Sequence, residues 1–171
     1  MKTLLIVDGY NLINYHPRYM KIKESDLEAS RVRAIEDLAS LATLSDYDVI
    51  IVFDAAETEN KERHRATILG VEVWFTRSGE SADSVIERLS YDLSAERPVV
   101  VATSDYAQQK VVFRPGVTIK SARQLSNEIE ELFAEAKRSY EEVKGPSHRP
   151  RLEDRIDRTV KTALDKLIRD Y

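Results

Sequence analysis

Four aspartates stand where a sheet of parallel strands would gather them. Asp8 and Asp54 each directly follow a short apolar run, and Asp105 lies three residues beyond a third run. Asp83 falls in the opening turn of a helix predicted after a fourth run. Carboxylates that are brought together repel one another, and burial increases that cost. Cations would neutralise them, and an all-oxygen site without cysteine or a histidine cluster suits Mg²⁺ or Mn²⁺.

Such a site has a defined chemistry. One or two divalent cations held by aspartates activate a water molecule and stabilise both oxygens of an in-line phosphoryl displacement. Asn11 is placed to hold a nearby carboxylate or a bound water, and Ser104 is placed to offer a hydroxyl to a metal-bound water. We therefore expect a metal-dependent phosphoryl-transfer centre, with the number of metals left open.

The apolar runs predict the strands that carry these residues. They are short, continuous and rich in β-branched residues, as buried parallel strands are. The predicted strands are Thr3–Val7, Val49–Phe53, Val71–Phe75, Pro98–Ala102 and Val117–Ile119. The run Val71–Phe75 alternates somewhat in polarity, which predicts a position nearer the edge of the sheet.

Helical periodicity fills the segments between the strands. Apolar residues recur at helical spacing in Glu24–Leu44, Ser81–Ser94 and Ser121–Tyr140. Strands that alternate with helices predict right-handed crossovers and a three-layer α/β fold with a mostly parallel sheet. The carboxyl ends of its strands lie along one edge, where open α/β sheets bind ligands. The four aspartates are therefore expected to converge there.

The chain is predicted to form one domain over residues 1–143, followed by a linker and a helix over residues 144–171. Gly145–Pro150 breaks the helical pattern. Residues 1–143 carry 18 basic and 25 acidic side chains, whereas residues 144–171 carry eight and five, so the net charges are −7 and +3. A basic tail on an acidic body can mark a polyanionic partner, but a solvated amphipathic helix explains the charge equally well.

The composition excludes several kinds of functional site and of targeting segment. The 171 residues include no cysteine, which excludes disulfides, thiolate zinc sites and cysteine nucleophiles. The apolar run at the start ends at Asp8 and is too short for a signal peptide. No stretch approaches the roughly 20 apolar residues of a membrane helix. We expect a soluble, cytoplasmic protein with no membrane partner.

Other metal-carboxylate sites fit these residues less well. Haloacid-dehalogenase-type phosphatases and toprim domains carry a second aspartate two residues after the first, where this chain has Tyr10. Von Willebrand-type sites carry serines there, and receiver domains need paired early acids and a late lysine. The five glycines form no Walker or Rossmann phosphate loop.

A series of short motifs follows one order along the chain. The opening motif is Val7-Asp8-Gly9-Tyr10-Asn11. The later motifs, in order, are residues 52–55, residues 75–83, residues 101–105, a glutamine at 108 or 109, and residues 121–125. This ordered series resembles the YacP-like group of NYN domains, a branch of the PIN-like nuclease superfamily. The resemblance covers about residues 3–135.

The resemblance implies a PIN-like fold with strand order 3-2-1-4-5 and a Mg²⁺- or Mn²⁺-dependent ribonuclease site. Matched onto this chain, it implies that Asp8, Asp83 and Asp105 are the metal ligands. Asp54 and Asn11 would be supporting residues. It also implies cleavage of messenger RNA in association with the ribosome.

A nuclease for single-stranded RNA needs basic side chains beside its acidic centre and aromatic faces for bases. The predicted phosphate contacts are Arg63, Arg65, Arg77, Lys110 and Arg123, with Lys61, His64 and Arg114 as further candidates. The candidates for base stacking are Tyr10, Tyr15, Tyr19 and Tyr106. An acidic body binds phosphates poorly by itself. We therefore expect a larger partner, such as the ribosome, to present the RNA.

Several functions are compatible with this sequence. The leading interpretation is a metal-dependent endoribonuclease that cleaves single-stranded RNA, in particular messenger RNA. The alternatives are a non-catalytic adaptor that binds RNA or the ribosome, a phosphohydrolase for a small nucleotide, and a toxin-like nuclease. Retention of all four acids favours an enzyme, because an adaptor gains nothing from their repulsion. Cleavage specificity and oligomeric state stay open.

Overall fold

A six-stranded sheet forms the centre of the molecule in the computed structural model, which describes residues 1–54, 64–104 and 115–143. The strands are β1 Thr3–Asp8, β2 Tyr47–Phe53, β3 His64–Ile68, β4 Val71–Phe75, β5 Val99–Ala102 and β6 Val117–Lys120. Their order across the sheet is β3-β4-β2-β1-β5-β6. All neighbouring strands pair in parallel except β3, which pairs antiparallel with β4. The predicted α/β fold and the predicted order of its five parallel strands are therefore confirmed.

The edge strand β3 was not predicted. The sequence predicts no strand here, because His64–Ile68 contains no continuous apolar run. All five side chains are exposed in the structure. Leu69 and Gly70 join β3 to β4, and both have positive φ angles, of 51° and 83°. Such a two-residue turn matches the twist of a hairpin. Pairing with β4, rather than burial, therefore makes this segment a strand.

Five helices cover the sheet in the described part of the chain. They are α1 Gly9–Tyr15, α2 Pro17–Lys23, α3 Leu27–Leu44, α4 Ala82–Leu93 and α5 Ala122–Val143. The helices predicted in Glu24–Leu44, Ser81–Ser94 and Ser121–Tyr140 correspond to α3, α4 and α5. The helix predicted within residues 144–171 lies outside the described residues. The helix predicted from Glu24 begins at Leu27, because the Asp26 side chain caps it by accepting from the Ala29 N–H at 3.0 Å. Helices α1 and α2 were not predicted, since seven residues are too few to show a period.

Two hydrophobic cores lie on the two faces of the sheet. One joins the sheet to α1, α2, α3 and α5 and includes Leu5, Val7 and Phe53. The other joins it to α4 and includes Leu4, Ile6 and Val52. Side chains alternate between the faces of a strand, so β1 is buried on both sides until it ends at Asp8. This strand therefore delivers a carboxylate directly from the core to the edge of the sheet.

The chain divides into two compact units, Met1–Glu135 and Ala136–Tyr171. In the second unit the structure describes the last part of α5, where Lys137 pairs with Glu141 at 4.0 Å. The domain division predicted after residue 143 stays a prediction. No helix in the described ranges is long and apolar enough to cross a membrane.

Candidate active site

Asp8 lies at the carboxyl end of β1 and begins helix α1. Its side chain is only 9% exposed, and its Oδ1 accepts a hydrogen bond from the Asn11 N–H at 3.0 Å. The carboxylate therefore caps the helix, as a negative group at a helix start should. The cap holds Asp8 at the predicted edge of the sheet.

Gly9 allows α1 to begin immediately after β1. A Cβ atom at this position would lie 2.3 Å from Cε1 of Phe53. No side chain fits at that distance, so the Phe53 ring occupies the space that any other residue would need. The close approach of α1 to β2 depends on this glycine, and the position of Asp8 depends on it too.

Asn11 and Ser104 connect β1 to β5 and α5. The Asn11 side-chain carbonyl accepts from the Ser104 N–H at 3.0 Å. The Ser104 hydroxyl oxygen in turn accepts from the Ala122 N–H at 3.1 Å, at the first residue of α5. Asn11 and Ser104 therefore both lie at the carboxyl edge, where they position backbone.

Asp54 holds the start of α4 against the end of β2. Its Oδ2 accepts from the Ala82 N–H at 3.2 Å. Asp83 directly follows Ala82 and is exposed in the first turn of α4. The cap of this helix is Ser81, whose hydroxyl accepts from the Ser84 N–H at 3.2 Å. Asp83 is therefore not needed as a capping residue, and Asp54 brings it to the edge that carries Asp8.

The type of donor at this edge fits a hard divalent cation. Asp8 ends β1 and Asp54 follows its parallel neighbour β2, and both offer carboxylate oxygens, which Mg²⁺ and Mn²⁺ prefer. Within the described residues, no group of three or more histidine, aspartate or glutamate side chains could hold a metal ion. Asp105, one of the three predicted ligands, lies outside the described residues. The ligand set predicted from the sequence therefore stays a prediction.

Three of the five predicted phosphate contacts lie in the described part of the chain. Arg65 is on β3, Arg77 is exposed on the connection between β4 and α4, and Arg123 is exposed in the first turn of α5. All three lie toward the carboxyl edge. Arg77 and Arg123 follow the ends of β4 and β6, and Arg65 is near the start of β3, which begins at that edge because it runs antiparallel to β4. Arg63 and Lys110 lie outside the described residues, as do Lys61 and Arg114.

The predicted base-stacking role is wrong for Tyr19. Its side chain is 0% exposed, and its hydroxyl donates to Oδ2 of the buried Asp37 at 2.8 Å. Tyr10 is held differently: its hydroxyl accepts from Nε of Arg31 at 3.0 Å, and its ring meets Phe53 edge-on at 5.3 Å. Tyr15 is 48% exposed. Tyr106 lies outside the described residues.

Sequence reasoning missed Arg31, which lies 7% exposed beside the candidate site. Its guanidinium lies over the rings of Tyr10 and Phe53, 5.4 and 5.9 Å from their centroids. Burial alone would lower the pKa of Arg31, but hydrogen bonds with Tyr10 and Glu28 outweigh it and raise the pKa above its ordinary value. Arg31 therefore stays charged beneath the Tyr10 side chain. The sequence does not indicate this placement, because a single arginine in a helical segment is usually an exposed residue.

Comparison with known proteins decides the family. The family model of the YacP-like NYN domain matches residues 5–169 of this chain. The chain belongs to the YacP-like NYN domain family. YacP of Bacillus subtilis (strain 168) is 36% identical over 141 residues, which are 82% of each protein.

Solved structures of a YacP-like NYN protein show the same fold. The crystal structure of Rae1 (YacP) from Bacillus subtilis has a TM-score of 0.73 at 32% identity, covering 97% of this chain and 94% of that one. Its W164L mutant has a TM-score of 0.70 at 33% identity, covering 85% and 86%. Membership of the YacP-like NYN domain family gives this chain a nuclease-like, RNA-related function. The family match also extends into the C-terminal segment, beyond residue 135, at which the resemblance in the sequence motifs ends.

Proposed function

We propose that this protein is a metal-dependent endoribonuclease that cleaves single-stranded RNA. The observation that carries the proposal is the convergence at one edge of the sheet. Asp8 ends β1, Asp54 follows β2, and the hydrogen bond from the Ala82 N–H to Asp54 holds the first turn of α4, with Asp83, at the same place. Carboxylates gathered along one edge repel one another, and a bound cation would neutralise that repulsion.

Asp8, Asp83 and Asp105 are the proposed ligands of a Mg²⁺ or Mn²⁺ ion. When bound, the ion would lower the pKa of a water molecule and offset negative charge on the phosphate. Asp54 positions α4, and Asn11 positions both the Asp8 carboxylate and the backbone of Ser104. Ser104 directly precedes Asp105, so the same network anchors the chain at the point where the third proposed ligand begins.

The proposed substrate is messenger RNA in association with the ribosome, which places the protein in the cytoplasm. The chain carries a net charge of −4, and affinity for nucleic acid comes mainly from neutralised phosphates. Exposed Arg77 and Arg123 lie toward the carboxyl edge but belong to an acidic body. A larger partner that presents the RNA would compensate for weak intrinsic binding.

Cleavage of a messenger RNA by the purified full chain tests the proposal. The reaction is run with Mn²⁺ or Mg²⁺ or with chelator, and each condition is run with and without ribosomes. We expect cleavage that chelator abolishes and ribosomes increase. Robust cleavage of free RNA at physiological salt, not improved by ribosomes, would contradict the need for a presenting partner.

Variants that replace an aspartate by the uncharged asparagine test which residues form the proposed catalytic centre. Asp8→Asn, Asp83→Asn and Asp105→Asn should each lower the rate at least 100-fold while far-ultraviolet circular dichroism stays unchanged. Asp92→Asn is the matched control, because Asp92 is an exposed aspartate in the same helix as Asp83. If no condition shows metal-dependent cleavage but ribosome binding persists, the protein is a non-catalytic adaptor instead.

A further inference from the structure

A transverse row of side chains crosses the sheet at the level of Asp8. Asp8 is in register with Val52, Val52 with Trp74, and Trp74 with Arg65. Residues directly opposite one another on neighbouring strands share a face of the sheet. Val52 and Trp74 belong to the face on which α4 packs. The row therefore leads along that face from edge strand β3 to the proposed catalytic aspartate.

Arg65 and Trp74 form a stacked pair at the outer end of this row. The Cζ atom of Arg65 lies 4.9 Å from the centroid of the Trp74 ring. Glu72 holds both side chains, since its Oε2 accepts from Nε1 of Trp74 at 3.2 Å and lies 2.8 Å from Nη2 of Arg65. The Arg65 side chain is 59% exposed, whereas Trp74 is half-buried. A planar cation is therefore fixed on an aromatic ring and open to solvent.

The position of the pair relative to Asp8 follows from sheet geometry. Neighbouring strands lie about 4.8 Å apart, so the Trp74 backbone is about 10 Å from Asp8 and the Arg65 backbone about 14 Å. Long side chains at those distances reach nucleotides next to a phosphate bound at Asp8. Helix α4 packs mainly over β1, β2 and β5, which leaves this pair beside the helix rather than beneath it.

We infer that Arg65 and Trp74 form a stacking subsite for a base of single-stranded RNA, next to the phosphate at Asp8. This inference rests on the proposed function. Arginine planes and aromatic rings are the surfaces on which proteins stack unpaired bases, and the same guanidinium contributes charge toward the phosphate backbone. Lysine in place of Arg65 would keep the charge and lose the planar surface. The subsite should therefore distinguish Arg from Lys, which a purely electrostatic contact would not.

Trp74 is the one tryptophan in the 171-residue sequence, so its fluorescence reports on this position alone. The full chain is titrated with a single-stranded RNA oligonucleotide at low ionic strength in chelator, and the intact RNA is verified on a gel afterwards. We expect a saturable change in tryptophan emission. Anisotropy of an end-labelled copy of the same RNA measures total binding in parallel. Emission that stays constant while anisotropy shows saturation, or no RNA binding in either assay, would overturn the subsite.

Variants separate stacking from structural support of β3. Arg65→Lys should weaken RNA binding about 5- to 150-fold, the range that stacking of one base contributes. Arg97→Lys is the matched control, because Arg97 also pairs with a carboxylate, that of Asp48, but at the amino ends of the strands. Equal RNA affinity of the Arg65→Lys and Arg97→Lys variants would contradict the inference.

Failure of the subsite and failure of the proposed function give different results. Asp8→Asn should abolish cleavage and leave the emission change intact. A wild-type chain that shows the emission change but never cleaves RNA would refute the nuclease and keep the subsite. A chain that cleaves RNA with unchanged emission, and with equal KM in the wild type and the Arg65→Lys variant, would refute the subsite and keep the nuclease.

Discussion

The side-chain carbonyl of Asn11 accepts a hydrogen bond from the backbone N–H of Ser104 at 3.0 Å. The backbone N–H of Asn11 also donates to Oδ1 of Asp8 at 3.0 Å. One residue therefore connects the ends of β1 and β5, two neighbouring strands that carry residues of the proposed catalytic centre. Because Ser104 is bonded in turn to the start of α5, displacement of Asn11 would disturb three elements at once.

Asn11→Ala should reduce both stability and cleavage. It removes the acceptor of the partly buried Ser104 N–H, and an unsatisfied group of this kind costs about 1–3 kcal/mol. Urea unfolding measures the loss, and single-turnover cleavage measures the effect on rate. Asn14→Ala is the control on the same helix, because the Asn14 side chain accepts an exposed bond from Lys23 at 2.9 Å. Equal effects of the two variants would show that the link to Ser104 has no special role.

Gly9→Ala should destabilise the fold by about 1–3 kcal/mol, since the new methyl group would overlap the Phe53 ring. The displaced helix α1 should also lower cleavage. A double-mutant cycle tests the cause: in Gly9→Ala with Phe53→Leu, the total loss should be smaller than the sum of the single losses. Additive losses would rule out the overlap as the cause.

Leu69→Asn should stabilise the protein by about 0.5–1 kcal/mol. Leu69 has a φ of 51° and is 69% exposed, so it bears the strain of a left-handed conformation and buries little. Asparagine tolerates this conformation and is favoured before glycine in two-residue hairpins. Gly70→Ala, at a φ of 83°, should act in the opposite direction. Thermal unfolding of both variants checks the pair, and destabilisation by Leu69→Asn would contradict it.

The buried His16 should make stability depend on pH. Burial lowers its pKa below the ordinary 6.5, with help from Arg18 and Arg33 and against the opposing carboxylates of Glu130 and Asp37. Nε2 lies 3.1 Å from Oε1 of Glu130, but neither ring nitrogen makes a hydrogen bond within the described residues. The unfolded chain therefore binds the proton more readily. The free energy of unfolding should decrease as pH falls below about 6.5 and level off below the folded-state pKa.

Removing the titrating ring tests this pH dependence. His16→Phe keeps a ring that can stack on Tyr19, whose centroid lies 4.0 Å from that of His16. Urea unfolding between pH 5 and pH 7.5 should then show a shallower slope than the wild type. His64→Gln, at an exposed position on β3, should leave the wild-type slope. An unchanged slope in His16→Phe would assign the dependence to other groups.

The parallel core of the fold was predictable because its signals are local. Runs of buried β-branched residues predicted five strands, and regular apolar spacing predicted α3, α4 and α5. The hairpin strand β3 was not predictable in this way, because its side chains are exposed and its backbone is ordered by β4. The same limit applies to Tyr19, whose sequence neighbours gave no sign that it lies completely buried against Asp37.

The candidate site divides in the same manner. The sequence alone determined that Asp8 and Asp54 directly follow continuous apolar runs, because such runs are typical of buried parallel strands, whose carboxyl ends lie along one edge. Only the tertiary structure decided which groups hold them there. The bonds from Ala82 to Asp54 and from Ser104 to Asn11 join residues 28 and 93 positions apart. Such contacts depend on the relative positions of packed helices and strands, and a local pattern of residues does not determine those positions.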